Sequence, residues 1–347
     1  MKAKSIAVVG VYGQGADFTT GQAVKCRELI DWFRKEHGTE QVTVVNTYRW
    51  KSNPLKLCWS MVRAFATCRN VILMPAQHGL KVFAPMSRML KAVFHTGVHY
   101  VVIGGWLADA LSDNGWLKHC VDSFEGVYVE TKSMVGKLHD LGLHRVTFMP
   151  NFRNLSNEPV QRPTFDNIPI PVCTYSRVVR EKGILDAIAI VEKANEQLGN
   201  NVFHLDVYGK IADDFAADMT SALNQHQDIV TYRGVKEADE GVATLAQYFA
   251  LLFPTYYEGE GFAGTLLDAF AACTPAIAND WKYNSEIVCD GCNGFIYPFR
   301  DVDAAADCLC KLYKDPTLYA QIQEGCLQSA NRYATDTVLR EFDHDLK

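Results

Sequence analysis

The chain has 347 residues, a formal net charge of −6 at neutral pH and 48% hydrophobic residues. That is enough for two domains of ordinary size and globular composition. It excludes a bilayer-spanning apolar run and a zinc finger, since no run is long enough and no second Cys or His pair has finger spacing. The 11 cysteines, an odd number, fall mostly inside apolar patterns, as at Cys26, Cys58, Cys173 and Cys273. They predict small buried thiols in reducing surroundings. Cys289-Asp-Gly-Cys292 is the one pair with metal or redox spacing.

From the N-terminus, residues 6–10 read as a strand that begins too early for a secretory leader. Further strands are expected at 42–46, 71–75, 99–104, 126–130 and 146–150. Between the first two, Ala23, Cys26, Leu29, Ile30 and Phe33 fall at helical spacing and Gly38 stops the helix. Met61, Phe65, Met89 and Val93 mark two more helices. Short apolar runs alternating with amphipathic helices predict a parallel sheet covered on both faces. Pro159, Pro163, Pro169 and Pro171, with Asn154, Asn157 and Asn167, make 153–171 a linker. The alternation restarts with strands at 172–175, 204–208, 229–232, 250–253, 275–278 and 295–297, and a helix over 184–198. Two doubly wound units joined in this way place a cleft at the carboxyl ends of their strands. Residues 333–346 read as a last helix.

Charge is uneven along the chain. No acidic residue lies between Glu40 and Asp109, whereas Arg49, Lys51, Lys56, Arg63, Arg69, Lys81, Arg88 and Lys91 do. Interleaved Trp50, Trp59, Phe65, Phe83 and Phe94 make the stretch amphipathic. An anionic membrane surface is the expected partner, the alternative being a solvated helix face over an ordinary core. Nucleic acid is not expected, because no recognised binding motif accompanies the charge.

Two motifs carry chemistry. After the strand at 250–253, the loop Tyr256-Tyr-Glu-Gly-Glu260-Gly261-Phe262-Ala263-Gly264-Thr265 opens a helix, and Glu260 and Asp268 bracket that turn. Helix-start amides attract anions, glycines admit a ligand closely and carboxylates hold hydroxyls, which together suit a nucleotide-sugar. Thr265-Leu-Leu-Asp268 also fits a capping box. Tyr175-Ser-Arg177-Val-Val-Arg180-Glu181-Lys182-Gly183 leaves a strand and enters a helix, so that Arg177 and Lys182 can converge on one diphosphate. The other reading is a surface Lys/Glu pair at a helix start. Gly10-Val-Tyr-Gly13-Gln-Gly15 does not have dinucleotide spacing and no acid ends the second strand, which argues against a nicotinamide cofactor. Gly209 and Gly234 close two strands of the second half.

The 256–285 stretch resembles the E-x7-E region of retaining GT-B glycosyltransferases of the family 4 type, with Asp in place of the second Glu. Residues 176–183 are similar to that family's S-R-x-x-x-E-K-G segment. Gly104-Gly105-Trp106-Leu107 and Asn279-Asp280-Trp281 resemble variants in bacterial capsule and exopolysaccharide transferases. The resemblance implies an α/β GT-B fold, two Rossmann-like domains facing a central cleft. These are 1–152 with a helix at about 333–347 crossing back, a linker at 153–171, and a nucleotide-sugar domain at 172–332. It implies a glycosyltransferase working with retention on a nucleotide-sugar, UDP being the commoner carrier, with no cofactor and no metal. Glu260, Arg177 and Lys182 take the catalytic places. Gly13, Gly15, Gly209, Gly261, Phe262, Ala263, Gly264, Thr265 and Asp268 take donor places. His78, Gly105, Trp106 and Glu130 are acceptor-side candidates. The family histidine after the fourth strand is absent, and Trp106 reads equally as a core residue. The expected acceptor is lipid-linked or a glycan, at the inner face of the cell membrane. A nucleotide-sugar epimerase or hydrolase and a non-catalytic binding subunit are the rival readings.

Overall fold

The computed structural model describes residues 4–13, 20–154, 161–237 and 239–346. The chain divides into two compact units, Met1–Asn154 with Tyr333–Lys347, and Leu155–Arg332. In the first, strands β1 (Lys4–Gly10), β2 (Val42–Asn46), β3 (Cys68–Leu73), β4 (Gly97–Val101), β5 (Gly126–Val129) and β6 (Val146–Phe148) alternate with helices. These are α1 (Gly21–His37), α2 (Pro54–Thr67), α3 (Gln77–Phe94), α4 (Leu107–Ser112), α5 (Gly115–Asp122) and α6 (Lys132–Asp140). The second unit repeats the plan with β7 (Ile170–Tyr175), β8 (Phe203–Tyr208), β9 (Val230–Gly234), β10 (Leu251–Phe253), β11 (Ala276–Asn279) and β12 (Gly294–Tyr297). Its helices are α7 (Ile184–Leu198), α8 (Ala216–Gln225), α9 (Gly241–Leu245), α10 (Gly264–Ala271), α11 (Asn284–Ile287), α12 (Val302–Lys314) and α13 (Pro316–Arg332). The last helix, α14 (Thr335–Asp345), belongs to the first unit.

Both sheets are parallel, in the orders β2-β1-β3-β4-β5-β6 and β12-β11-β10-β7-β8-β9. The cores of the central strands are apolar because helices cover both faces. Ala7, Val8 and Val9 of β1 are all fully buried. The strand order reverses between β1 and β3 in the first sheet and between β7 and β10 in the second. Chains leaving two such neighbours turn to opposite faces of the sheet, which opens a crevice at their carboxyl ends. That topology decides where a ligand can enter each unit.

Local chemistry sets the helix ends. The Thr20 hydroxyl accepts from the Ala23 amide to start α1, and Gly38 at φ 90° closes it. The buried stripe of α1 includes Cys26, Leu29, Ile30 and Phe33. α14 packs against α1. Trp32 Nε1 donates to Asp336 Oδ1 at 2.7 Å, His37 Nε2 lies 2.8 Å from Asp343 Oδ1, and Phe342 sits edge-on to Phe33 and Tyr128. Leu339 and Phe342 are buried there, each contributing ~1.5–3 kcal/mol.

All twelve strands lie where the apolar runs put them, with ends displaced by up to three residues. The expected ends overran at β3 and β4 because apolar residues continue past the last ladder bond. Met74 and Val102 are fully buried beyond their strands. Two expectations are corrected. Phe65 and Phe83 are buried under α2 and α3, and Trp50 packs edge-on against Phe83, so these rings are not a membrane-facing set. Cys58 is exposed, unlike Cys26 and Cys173.

Candidate functional site

Two segments meet at the β7/β10 reversal of the second sheet. From β7 the chain passes through Ser176 and Arg177 into a 3₁₀ turn, Arg180–Lys182, and then α7. From β10 it passes through Pro254 and Thr255 into the glycine-rich loop. The segments are joined by backbone. The Tyr256 amide donates to Glu181 O at 2.7 Å, and the Thr255 hydroxyl reaches the same oxygen at 3.4 Å. A Cβ at Gly183 would lie 2.2 Å from Pro254 O, so only glycine, here at φ 70°, allows this approach.

The junction delivers Lys182 to Glu260. Lys182 Nζ is 2.5 Å from Glu260 Oε2, and both side chains are nearly buried. The same oxygen accepts from the buried Thr255 hydroxyl at 2.8 Å. Lys182 Nζ also lies 5.3 Å from the centroid of the Tyr257 ring and 5.7 Å from that of Phe253. The Arg177 guanidinium, solvent-exposed, sits 5.1 Å from the centroid of the Tyr257 ring. Two cations thus share one aromatic ring beside one carboxylate, leaving a net positive charge that favours an anion. The pair is formed in advance, so little rearrangement is required of these side chains when a ligand arrives.

α10 starts at the same place. Ala263, its N-cap, has no side chain to bond the first amides, so these can face an anion. Thr265 lies inside the helix and donates its hydroxyl proton to Tyr175 O at 3.0 Å, pinning α10 to the end of β7. The capping box read from Thr265 and Asp268 is therefore not formed. Asp268 lies beside Gly241 at the start of α9. With burial as the larger cause, its charge helps push the Tyr175 hydroxyl pKa up. Phe262 and Ala263 turn their side chains into the unit, so what they offer a ligand is backbone. The loop between is held by Trp281, whose Nε1 donates to Tyr257 O at 3.0 Å, and by a 2.7 Å ion pair of Lys282 with Glu258. Gly261 and Gly264 lie on this loop and helix start. Gly209, at φ 131°, has a packing reason, since a Cβ there would fall 1.7 Å from Ser176 O. It lets the end of β8 lie against the residue before Arg177.

In the first unit Gly13 and His78 follow β1 and β3, at that sheet's own reversal, with His78 exposed in the first turn of α3. Gly15 lies outside the described residues. Gly105 and Trp106 follow β4 and are half-buried, Trp106 Nε1 donating to Ile103 O at 2.8 Å. Glu130, the remaining acceptor-side candidate, anchors the loop after β4. It is buried, pairs with the buried Lys25 at 2.7 Å and accepts from the Gly104 amide at 2.9 Å. Sequence reasoning missed Lys25, Thr255 and Tyr257. Lys25 had a signal, since it stands four and eight residues before Leu29 and Phe33 on the apolar stripe. Among the described residues no group of three or more His, Cys, Asp and Glu side chains is arranged to hold a metal ion.

Two parallel doubly wound units of this kind, with a cation-and-carboxylate site at the reversal of the second sheet, define the GT-B class of fold. Residues 160–326 match the family model described as Glycosyl transferases group 1. Among solved structures, HepE of Anabaena, crystallised in complex with UDP, has a TM-score of 0.77 at 11% identity, with 99% of each chain covered. The GtfA subunit of the UDP-N-acetylglucosamine–peptide N-acetylglucosaminyltransferase of Streptococcus gordonii is 31% identical over 133 residues, 38% of this chain and 24% of that one. An exopolysaccharide phosphotransferase of Streptomyces coelicolor is 32% identical over 87 residues, 25% of this chain and 9% of that one. The matches thus span a quarter or less of the length of these two curated relatives. Taken together, the domain match and the relatives support a glycosyltransferase.

Proposed function

We propose that this protein is a retaining glycosyltransferase that moves a sugar from a UDP-sugar to a lipid-linked or polysaccharide acceptor. The observation that carries the reading is the Lys182–Glu260 pair beside Arg177, at a sheet reversal and a helix start. Support for UDP comes from HepE, crystallised with UDP and with UDP-glucose, and from the donor in the name of the GtfA enzyme. The name of the exopolysaccharide relative favours a glycan product, and the reading puts the reaction at the inner face of the cell membrane.

In this reading the bond from the anomeric carbon to the β-phosphate oxygen breaks, and the acceptor oxygen bonds to the same face of that carbon. The acceptor proton passes to the departing diphosphate. Arg177 supplies a planar fork and Lys182 a point charge to the phosphates, and the first amides of α10 add their dipoles. The reading assigns charge neutralisation to these groups rather than to a metal ion or cofactor. Glu260 holds sugar hydroxyls and favours the positive charge that develops at the anomeric carbon. Asp268 is assigned to the nucleotide ribose. Gly13, Gly15 and Gly209 are assigned to the donor side, and His78, Gly105 and Trp106 to the acceptor side.

The test is UDP release from a panel of UDP-sugars, with the anomeric configuration of the product read by NMR. Glu260→Gln is expected to lower turnover about 10²–10³-fold while UDP affinity by calorimetry changes little. Arg177→Ala is expected to cost about 2–4 kcal/mol in kcat/KM. Unchanged turnover in Glu260→Gln removes the assignment, and an inverted product removes the retaining mechanism.

A further inference from the structure

We propose that the outer face of α2 and α3 docks on an anionic lipid bilayer. The inference deepens the reading of a lipid-borne acceptor and rests on it for its purpose, but the surface stands on its own observations. Right-handed crossovers from β2 to β3 and from β3 to β4 place α2 and α3 side by side on one face of the first sheet. Their inner stripes, including Met61 and Phe65 on one and Leu80 and Phe83 on the other, are buried. Their outer stripes therefore point away from the sheet together.

Those outer stripes are apolar where a solvated face is not. Leu55 is 82% exposed, Trp59 70%, Met89 61% and Val93 64%. Leu55 and Trp59 are one helical turn apart, as are Met89 and Val93, so each pair forms a ridge. Exposed cations stand among them at Lys56, Arg63 and Lys81, and residues 41–108 contain no carboxylate to neutralise them. Lys91 is the exception, being paired with Glu125 at 2.8 Å. Helix α3 is about 25 Å long, with the Met89 and Val93 ridge in its last two turns. Its N-terminal end lies at the carboxyl edge of the strands, where His78 stands.

The pattern selects its occupant. A second copy of the chain would set this cationic face against itself in a two-fold contact, which like charges oppose. A polyanion in water would meet the cations but leave Leu55, Trp59, Met89 and Val93 wet. An anionic bilayer surface satisfies both, with headgroup phosphates at the Lys and Arg side chains and the apolar ridges in the interfacial layer. Among the described residues no helix is long and apolar enough to cross a membrane.

The experiment sediments the full chain with vesicles of phosphatidylcholine alone or mixed with phosphatidylglycerol. Wild type is expected to bind the mixed vesicles, with loss at high salt, and not the neutral ones. The double variant Lys56→Glu, Lys81→Glu is expected to bind the mixed vesicles at least about tenfold more weakly. Trp59→Ser is expected to weaken binding without changing its salt dependence. UDP release in the absence of vesicles should be unchanged in all of these variants, because none touches the donor site. That readout separates failure of this surface from failure of the transferase reading. The altered residues are exposed, and unchanged Tm values verify folding. The proposal is overturned if wild type ignores anionic vesicles or if both variants bind as wild type does. It is equally overturned if sedimentation velocity shows a dimer that Trp59→Ser abolishes.

Discussion

Tyr257 holds the two cations of the site over one ring, and its neighbour Tyr256 does something different. The Arg300 guanidinium lies 4.9 Å from the centroid of the Tyr256 ring, whereas Arg177 and Lys182 share Tyr257. Each such contact is worth about 0.5–1 kcal/mol at a partly exposed site. Tyr257→Leu should therefore lose about 1–2 kcal/mol in kcat/KM for the donor, mostly through KM, while Tyr257→Phe, which keeps the ring, should stay near wild type. Steady-state kinetics on the two variants checks this; equal losses in both would show that the ring is not what matters. At this scale Arg177, Lys182 and Glu260 were legible because each stands in a spaced motif of charged and glycine residues. Tyr257 was not. Two adjacent tyrosines look alike in a sequence, and only the turn of the chain decides which ring reaches the cations.

The strand–helix alternation was legible at the scale of elements because parallel strands buried on both faces read as continuous apolar runs and the helices between them carry one apolar stripe. What the runs do not contain is the order of strands in a sheet. The pairing of β10 with β7 makes the site, and β10 follows β7 by a long excursion through α7, β8, α8, β9 and α9. The joint at Gly183 is where that pairing becomes chemistry. A side chain there meets the Pro254 carbonyl and must also adopt a left-handed backbone. Gly183→Ala is expected to destabilise the second unit by at least about 2 kcal/mol and to part Lys182 from Glu260. A urea midpoint equal to wild type, with full turnover, would show that the approach is loose.

At the scale of the whole molecule, a buried histidine ties the stability of the first unit to acid, and the tryptophans make that measurable. Five of the six, Trp32, Trp50, Trp59, Trp106 and Trp116, lie in the first unit and only Trp281 in the second, so intrinsic fluorescence reports chiefly on the first. That unit buries His99 on β4, with Nδ1 3.3 Å from the Tyr128 hydroxyl and the Phe342 ring of α14 edge-on to it. Burial pushes its pKa down to about 4 from an ordinary value of 6.5. The nearby Glu125 and Asp345 oppose the shift, and Lys91 assists it. The unfolded chain then binds a proton between about pH 6.5 and 4 that the folded unit refuses, so stability is full above that window and is lost as pH falls through it. The shift corresponds to at most about 3 kcal/mol. Urea unfolding followed by fluorescence at pH 7 and pH 5 should show about 2 kcal/mol of that loss in wild type and a smaller one in His99→Gln. The informative quantity is the change with pH, not the absolute stability, because the substitution also disturbs packing beneath α14. An identical pH dependence in the two proteins would assign the acid response of the first unit to its carboxylates instead.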